Sequence, residues 1–189
     1  MGGTAVNFPT PLTIHQANFP DIEVNAHYDT KPFGPDAPYY AWHIGRWSGD
    51  AAWELSQIHH RLFLANPPVD VQYFAIHYGY NYFLLGRAWR RGGFTVHFGL
   101  GPIVTNPESS VRHRVEGGNS GGIFDAGYYF SGIGAELAAE KDFYFAKHAF
   151  VVLEAAFTGG RAWTVPVAGG HADVPNLALH AHLGIGWTF

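Results

Sequence analysis

Twelve histidines and no cysteine make imidazole, not thiol, this chain's source of bases and metal ligands. His180 and His182 stand two apart in the closing stretch "NLALHAHLGIGWTF". On a strand they share a face, about 7 Å apart. That spacing suits two ligands of one metal, with His27 or Asp29 of an adjoining strand as the third. A second chemistry needs a nucleophile, a base and an orienting carboxylate. Ser109, Ser110, His113, His171 and Asp173 supply those types if the loops that carry them meet. The third possibility is packing. Histidines and carboxylates buried together satisfy one another, because a lone buried polar group is costly.

Which of these holds depends on the elements that carry the residues. Period-2 alternation recurs along the chain and is broken by turn residues, which predicts eight strands. They are "DIEVNAHYD", "YYAWHIGRW", "AAWELSQIHHRLFL", "VQYFAIHYGYNYFLLG", "GFTVHFGLGPI", "AGYYFSGIGAELAA", "FYFAKHAFVVLEAAFT" and the closing segment. In the last, Leu177, Leu179, Ala181, Leu183, Ile185, Trp187 and Phe189 form one face, and Ala178, His180, His182, Gly184, Gly186 and Thr188 the other. In the third, Trp53 and Leu55 begin a greasy face that Leu62 and Leu64 finish in opposite parity, so a β-bulge is expected near Gln57–Ile58. In the fourth, Phe74, Ile76, Tyr78, Tyr80 and Tyr82 are assigned to the greasy face, and His77 and Asn81 to the polar one.

"WSGD", "AWRRGG" and "AEKD" are short connections. "TKPFGPDAP", "ANPPVD", "TNPESSVRHRVEGGNSGGIFD" and "GGRAWTVPVAGGHADVP" are rich in Gly and Pro and mostly longer. A meander puts every second connection at the same end, so one rim is trimmed and the other looped, as in outer-membrane barrels. Residues 1–20 hold three prolines in "NFPTPLTIHQANFP" and are expected to form an extended segment or partial plug ahead of a barrel domain at 21–189.

The terminal "LALHAHLGIGWTF", ending on Phe189, resembles the C-terminal signal strand of bacterial outer-membrane barrels. Residues 21–189 resemble the small eight-stranded class: OmpX-like proteins, the OmpA barrel, and the lipid A enzymes PagP and PagL. The resemblance implies an all-β, eight-stranded antiparallel up-and-down transmembrane β-barrel in a bacterial outer membrane. A soluble lipocalin-like barrel is the alternative, with the greasy face inside. With that face toward lipid, the interior network is His27, His43, Glu54, His77, Asn81, His97, Glu154, His180 and His182. His59 and Arg61 join it if the bulge forms. Counted from the short turns, His27, His43, Asn81, His97 and His182 fall near mid-height, and His77, Glu154 and His180 nearer the looped rim.

The PagL-like His-x-Ser pair is missing, since no histidine has serine two places on. The PagP-like pattern fails too: "TKPFGPDAP" has no His and "ANPPVD" no Asp-Ser pair. The expected function is therefore a non-enzymatic barrel whose outer loops contact the surface or lipopolysaccharide. A lipid A deacylase or acyltransferase is the first alternative and a histidine metal site the second.

The remaining composition fits this reading. Charged residues are 14% and aromatics 16% of the 189 residues, and the net charge of -4 gives no basic field for nucleic acid. No cofactor is implied. "SSVRHRVEGGNSGG" offers Arg112 and Arg114 to lipid phosphates, and Arg87, Arg90 and Arg91 at a short turn offer a contact to a protein partner. "MGGTAVNFPT" lacks the basic start and apolar core of a signal peptide, so an exported form is expected to be the mature chain.

Overall fold

The computed structural model describes residues 1–33, 38–118 and 120–189. The rest of the "TKPFGPDAP" connection and Asn119 of the Gly-rich loop lie outside the described residues. Among the described residues there is no helix, and every strand ladder is antiparallel.

Alternation makes the strands. Along β13 (Gly170–Trp187), Leu177, Leu179, Leu183, Ile185 and Trp187 are exposed, while Ala178, His180 and His182 are buried at 3% or less. The same division holds on β5 (Tyr40–Ser48), β8 (Phe94–Thr105), β11 (Tyr129–Tyr144) and β12 (Ala149–Val167). With β6 (Ala51–Leu64), β7 (Val71–Arg91) and β1 (Gly2–Phe8) these strands close a ring in the order β1-β5-β6-β7-β8-β11-β12-β13, with β13 returning to β1. The fold is thus an all-β antiparallel sheet with a ring through eight strands. Its narrowest joint is β1–β5, where Gly2 pairs with Tyr40, and Met1 and Ala41 exchange bonds of 2.8 and 3.0 Å.

The N-terminal segment is a correction to the sequence reading. Residues 2–16 lie in the sheet: β1, then Pro9, then β2 (Thr10–Gln16), both paired with β13 from Leu183 up to Gly170. Proline there ends one ladder without ending the stave, because both halves keep the same neighbour. The strand expected at 21–29 is instead an overlay at the looped end. There β3 (Ile22–Ala26) folds back on β2, and β4 (Tyr28–Asp29) caps the tip of β6.

Two turns also shift. β11 runs on through "AEKD" to Tyr144, so the turn falls at 145–148. "GGRAWTVPVAGGHADVP" is an extended hairpin, β12 reaching Val167 and β13 resuming at Gly170. At 108–116, β9 (Glu108–Val111) and β10 (Arg114–Glu116) form a hairpin on the upper end of β7.

The interior has two layers, and this explains the parity errors. Near the looped end it is apolar: Leu12, Ile14, Leu62, Ile76, Tyr80 and Tyr82 are fully buried together. Leu62 therefore points inward like Glu54, with no parity switch at Gln57–Ile58. The irregularity comes later, between His60 and Leu62, where β7 spends extra residues around Gly79. Gly79 sits at φ +123°, a conformation that favours glycine. Tyr80 and Tyr82 also face inward, and Phe83 and Leu85 take the exposed side.

Tyr82 fits only because β11 and β12 present glycines to it. A Cβ on Gly134 would lie 2.5 Å from Tyr82 Cε1, and one on Gly160 2.5 Å from Ile103 Cδ1. Gly134→Ala is expected to cost about 1–3 kcal/mol by overpacking. A lowered urea midpoint, with the wild-type slope, checks this.

Candidate functional site

The lower interior is polar and draws on most of the ring. Its first arm starts on Tyr39, just ahead of β5. The Tyr39 hydroxyl lies 2.6 Å from His180 Nδ1 and 2.6 Å from His182 Nε2. His180 Nε2 is 2.7 Å from Thr158 Oγ1, and His182 Nδ1 is 2.5 Å from Glu154 Oε1. With neutral rings this fixes each proton by elimination. His182 Nδ1–H donates to the carboxylate and Tyr39 O–H donates to His182 Nε2. His180 Nδ1–H donates to the phenol oxygen and Thr158 O–H to His180 Nε2. The five side chains come from one connector and two adjacent strands. Strand pairing sets Glu154 opposite His182 and Ala156 opposite His180.

The second arm is a carboxylate that holds two rings. Glu54 of β6 accepts from His43 Nδ1 of β5 at 2.9 Å and from His97 Nδ1 of β8 at 3.0 Å. The rings lie 5.0 Å apart. With neutral rings, both Nε2 atoms are lone pairs that face carboxylates: His43 Nε2 lies 3.2 Å from Glu154 Oε2 and His97 Nε2 3.9 Å from Glu140 Oε2. Glu136 of β11 takes a 3.3 Å bond from Ser56 Oγ through Oε2, and its Oε1 is unpartnered. Among the described residues, the ion pairs of Glu54, Glu140 and Glu154 are all with histidines, not with Lys or Arg.

His43, Glu54, His97, Glu154, His180 and His182 thus come together, with Glu154 at the level of Glu54 rather than near the looped rim. The other predicted interior residues lie elsewhere. His27 is exposed at the rim, its backbone bonded to Asn66, far from supplying a ligand beside His180 and His182. His77 is close to Glu108 of β9, at 3.5 Å. Asn81 faces the outer wall, where Oδ1 receives His59 Nδ1 at 2.8 Å. Sequence reasoning missed Tyr39, Glu136, Glu140 and Thr158. Glu136 has the parity of Gly134 and Ala138 and was open to the same alternation argument. Glu140 was hidden by reading "AEKD" as a turn, and Tyr39 precedes the alternation altogether.

The five rim residues proposed for hydrolysis are dispersed over other contacts. Ser109 is buried and its hydroxyl has no partner. Ser110 pairs with Val115 within the β9–β10 hairpin, and the His113 amide bonds Gln72. His171 stacks on His15 with ring centroids 4.9 Å apart, and Asp173 is held by Arg161.

A separate cavity of about 580 Å³ opens on the outer wall under the 120–128 loop. Phe83, Phe124 and Phe130 line it, and Gln57, His59 and Asn81 form its floor. Tyr40 stacks flat on His59 at 4.7 Å, and His59 Nε2 is buried without a partner. Burial pushes the phenol of the loop residue Tyr128 above its ordinary value, so it lines the cavity as a neutral hydroxyl. No protein-family model, curated protein or solved structure matches this chain.

Proposed function

We propose that the ring is a transmembrane β-barrel of a bacterial outer membrane, with a closed polar interior and loops that contact lipid or lipopolysaccharide, and no catalytic role. The observation that carries this reading is the exposed apolar wall. Leu55, Leu85, Leu100, Leu137, Leu153, Leu179 and Leu183 are each about half exposed, on six of the ring's strands, while His, Glu and Thr face inward. Water disfavours so large a contiguous apolar surface, and hydrocarbon does not. The short-turn end adds an interfacial band: Arg87 over Trp53 at 4.8 Å, Arg90 over Trp47 at 3.9 Å and Lys141 over Phe94 at 5.1 Å. Phe157 and Trp163 are exposed towards the looped end.

At that looped end, Arg112 is engaged by Gln16 and Pro20, which leaves Arg114, over Phe19, as the exposed guanidinium for a lipid phosphate. The wall cavity, apolar at its mouth with His59 at its floor, suits an acyl chain with a polar group near its base. A lipid enzyme remains the rival reading, and that cavity is where it would act.

The chain has no cysteine, which makes the test direct. Single cysteines at Leu55, Leu137 and Leu179 are expected to resist a membrane-impermeant maleimide in folded, lipid-reconstituted protein. A cysteine at the loop residue Val69 reacts fully. Rapid labelling of all four positions sinks the membrane reading.

A further inference from the structure

The polar interior contains buried atoms that the packing leaves without a hydrogen bond. They converge. His43 Nε2, His97 Nε2, Glu154 Oε2 and Glu136 Oε1 are all buried and lack a hydrogen bond. His97, Glu136 and Glu154 are 5% exposed or less. One ligand atom each from His43, Glu136 and Glu154 lie within 4.8 Å of one another, and the same holds for His97, Glu140 and Glu154. Those two sets share Glu154.

We propose that this cluster binds a divalent first-row transition-metal ion, with His43 Nε2, His97 Nε2 and the carboxylates of Glu136, Glu140 and Glu154 as its donors. Three observations join in this. The first is that donor groups from β5, β8, β11 and β12 gather in two sets that share Glu154, and four of their buried atoms lack a hydrogen bond. Each such atom is costly when buried and unmet, and a cation meets them together. The second is the arrangement behind the donors. Glu54 takes the Nδ1–H of both imidazoles, which in the neutral rings leaves the lone pair on Nε2 and raises ligand basicity, as outer partners of metal-bound histidines do. The third is charge. Among the described residues, the ion-pair partners of Glu54, Glu140 and Glu154 are histidines alone. A divalent cation offsets that charge directly.

Two imidazole nitrogens beside carboxylates select against the hard cations Ca²⁺ and Mg²⁺ and suit Zn²⁺, Fe²⁺, Mn²⁺ or Co²⁺. His180 and His182 are not donors here. Their nitrogens are taken by Tyr39, Thr158 and Glu154. Because the donors stand on four strands, the bound ion ties opposite staves together from within. The inference does not depend on what surrounds the outer wall.

Zn²⁺ is the probe. Full-length protein is folded in detergent, stripped with a chelator, and titrated with Zn²⁺. Equimolar binding that survives gel filtration is expected, together with a raised melting temperature. Glu54→Gln keeps every donor and is expected to weaken affinity about 10–100-fold. The double variant His43→Gln/His97→Gln loses the equimolar site. The rim pair His15 and His171 is the obvious adventitious binder, so His15→Asn/His171→Asn is the control, and it keeps the site. Absence of equimolar Zn²⁺ in folded wild-type protein overturns the proposal. So does binding that survives the interior double variant or disappears with the rim variant. If the double variant does not fold, X-ray absorption of zinc-loaded wild type decides: two imidazoles with oxygen ligands support the site, and an all-oxygen shell overturns it.

Discussion

Glu154→Ala is expected to cost about 3 kcal/mol of unfolding free energy in the metal-free protein, the upper range for stranding a buried donor by removing its acceptor. Glu154 Oε1 receives His182 Nδ1 and its Oε2 lies against His43 Nε2, so the substitution strands a donor on one side and empties the other. The loss also travels. Without the carboxylate, nothing fixes the His182 tautomer, and the Tyr39–His180–Thr158 bonds lose their direction. The contrast is Glu136, which has one bond and an unpartnered oxygen. Glu136→Gln keeps its shape and is expected to shift stability by less than about 1 kcal/mol. Guanidinium unfolding of both variants, followed by intrinsic tryptophan fluorescence, checks the pair. Equal losses would mean that the interior responds to charge alone and not to these bonds.

Tyr80→Ala is expected to cost about 3–5 kcal/mol, the usual loss for emptying a large aromatic site in a core. Tyr80 is fully buried, packs against Tyr82 at 5.4 Å, and donates its hydroxyl to Val174 O at 2.9 Å, so it ties β7 across to β13. Tyr80→Phe keeps the ring and loses the bond, for about 1 kcal/mol. The same denaturation series separates the two contributions. Matching losses in the two variants would assign the whole effect to the hydroxyl.

Tyr80 also marks where the sequence stopped being legible. Alternation identifies a strand's two faces, but it does not say which is inside when both carry rings. On β13 the answer was clear, because one face held His and Gly and the other Leu and Trp. On β7, "YGYNYFLL" offers aromatic residues in both parities. The structure resolves the tie by filling the upper interior with tyrosine and laying the 120–128 loop over Asn81 outside. Leu62 misled for the same reason: apolar residues inside the upper ring mimic an apolar wall.

Histidines 43, 97, 180 and 182 were legible because they alternate with large apolar neighbours on strands whose parity never breaks. Their partners were not, since contacts across the ring depend on stagger and tilt, which a strand pattern does not encode. The N-terminal strand was hidden by its own prolines. Pro9 and Pro11 argue against a central strand in general, yet Pro9 falls between two ladders and the same stave continues on both sides.

That stave has a consequence for the order in which the molecule assembles. β5 to β13 form neighbour by neighbour, mostly through connections of modest length. Within the ring, β1 has its long ladder with β13, and β2 pairs there with β13 as well: Thr10 bonds Pro175 across 165 residues and Asn176 bonds Asn7 across 169. Loop-closure entropy for such a contact is met only when nearly the whole chain is present. The earliest-made strand of the ring is therefore the last to find its place. Until β13 exists, it remains an open edge that must be kept from pairing with another chain.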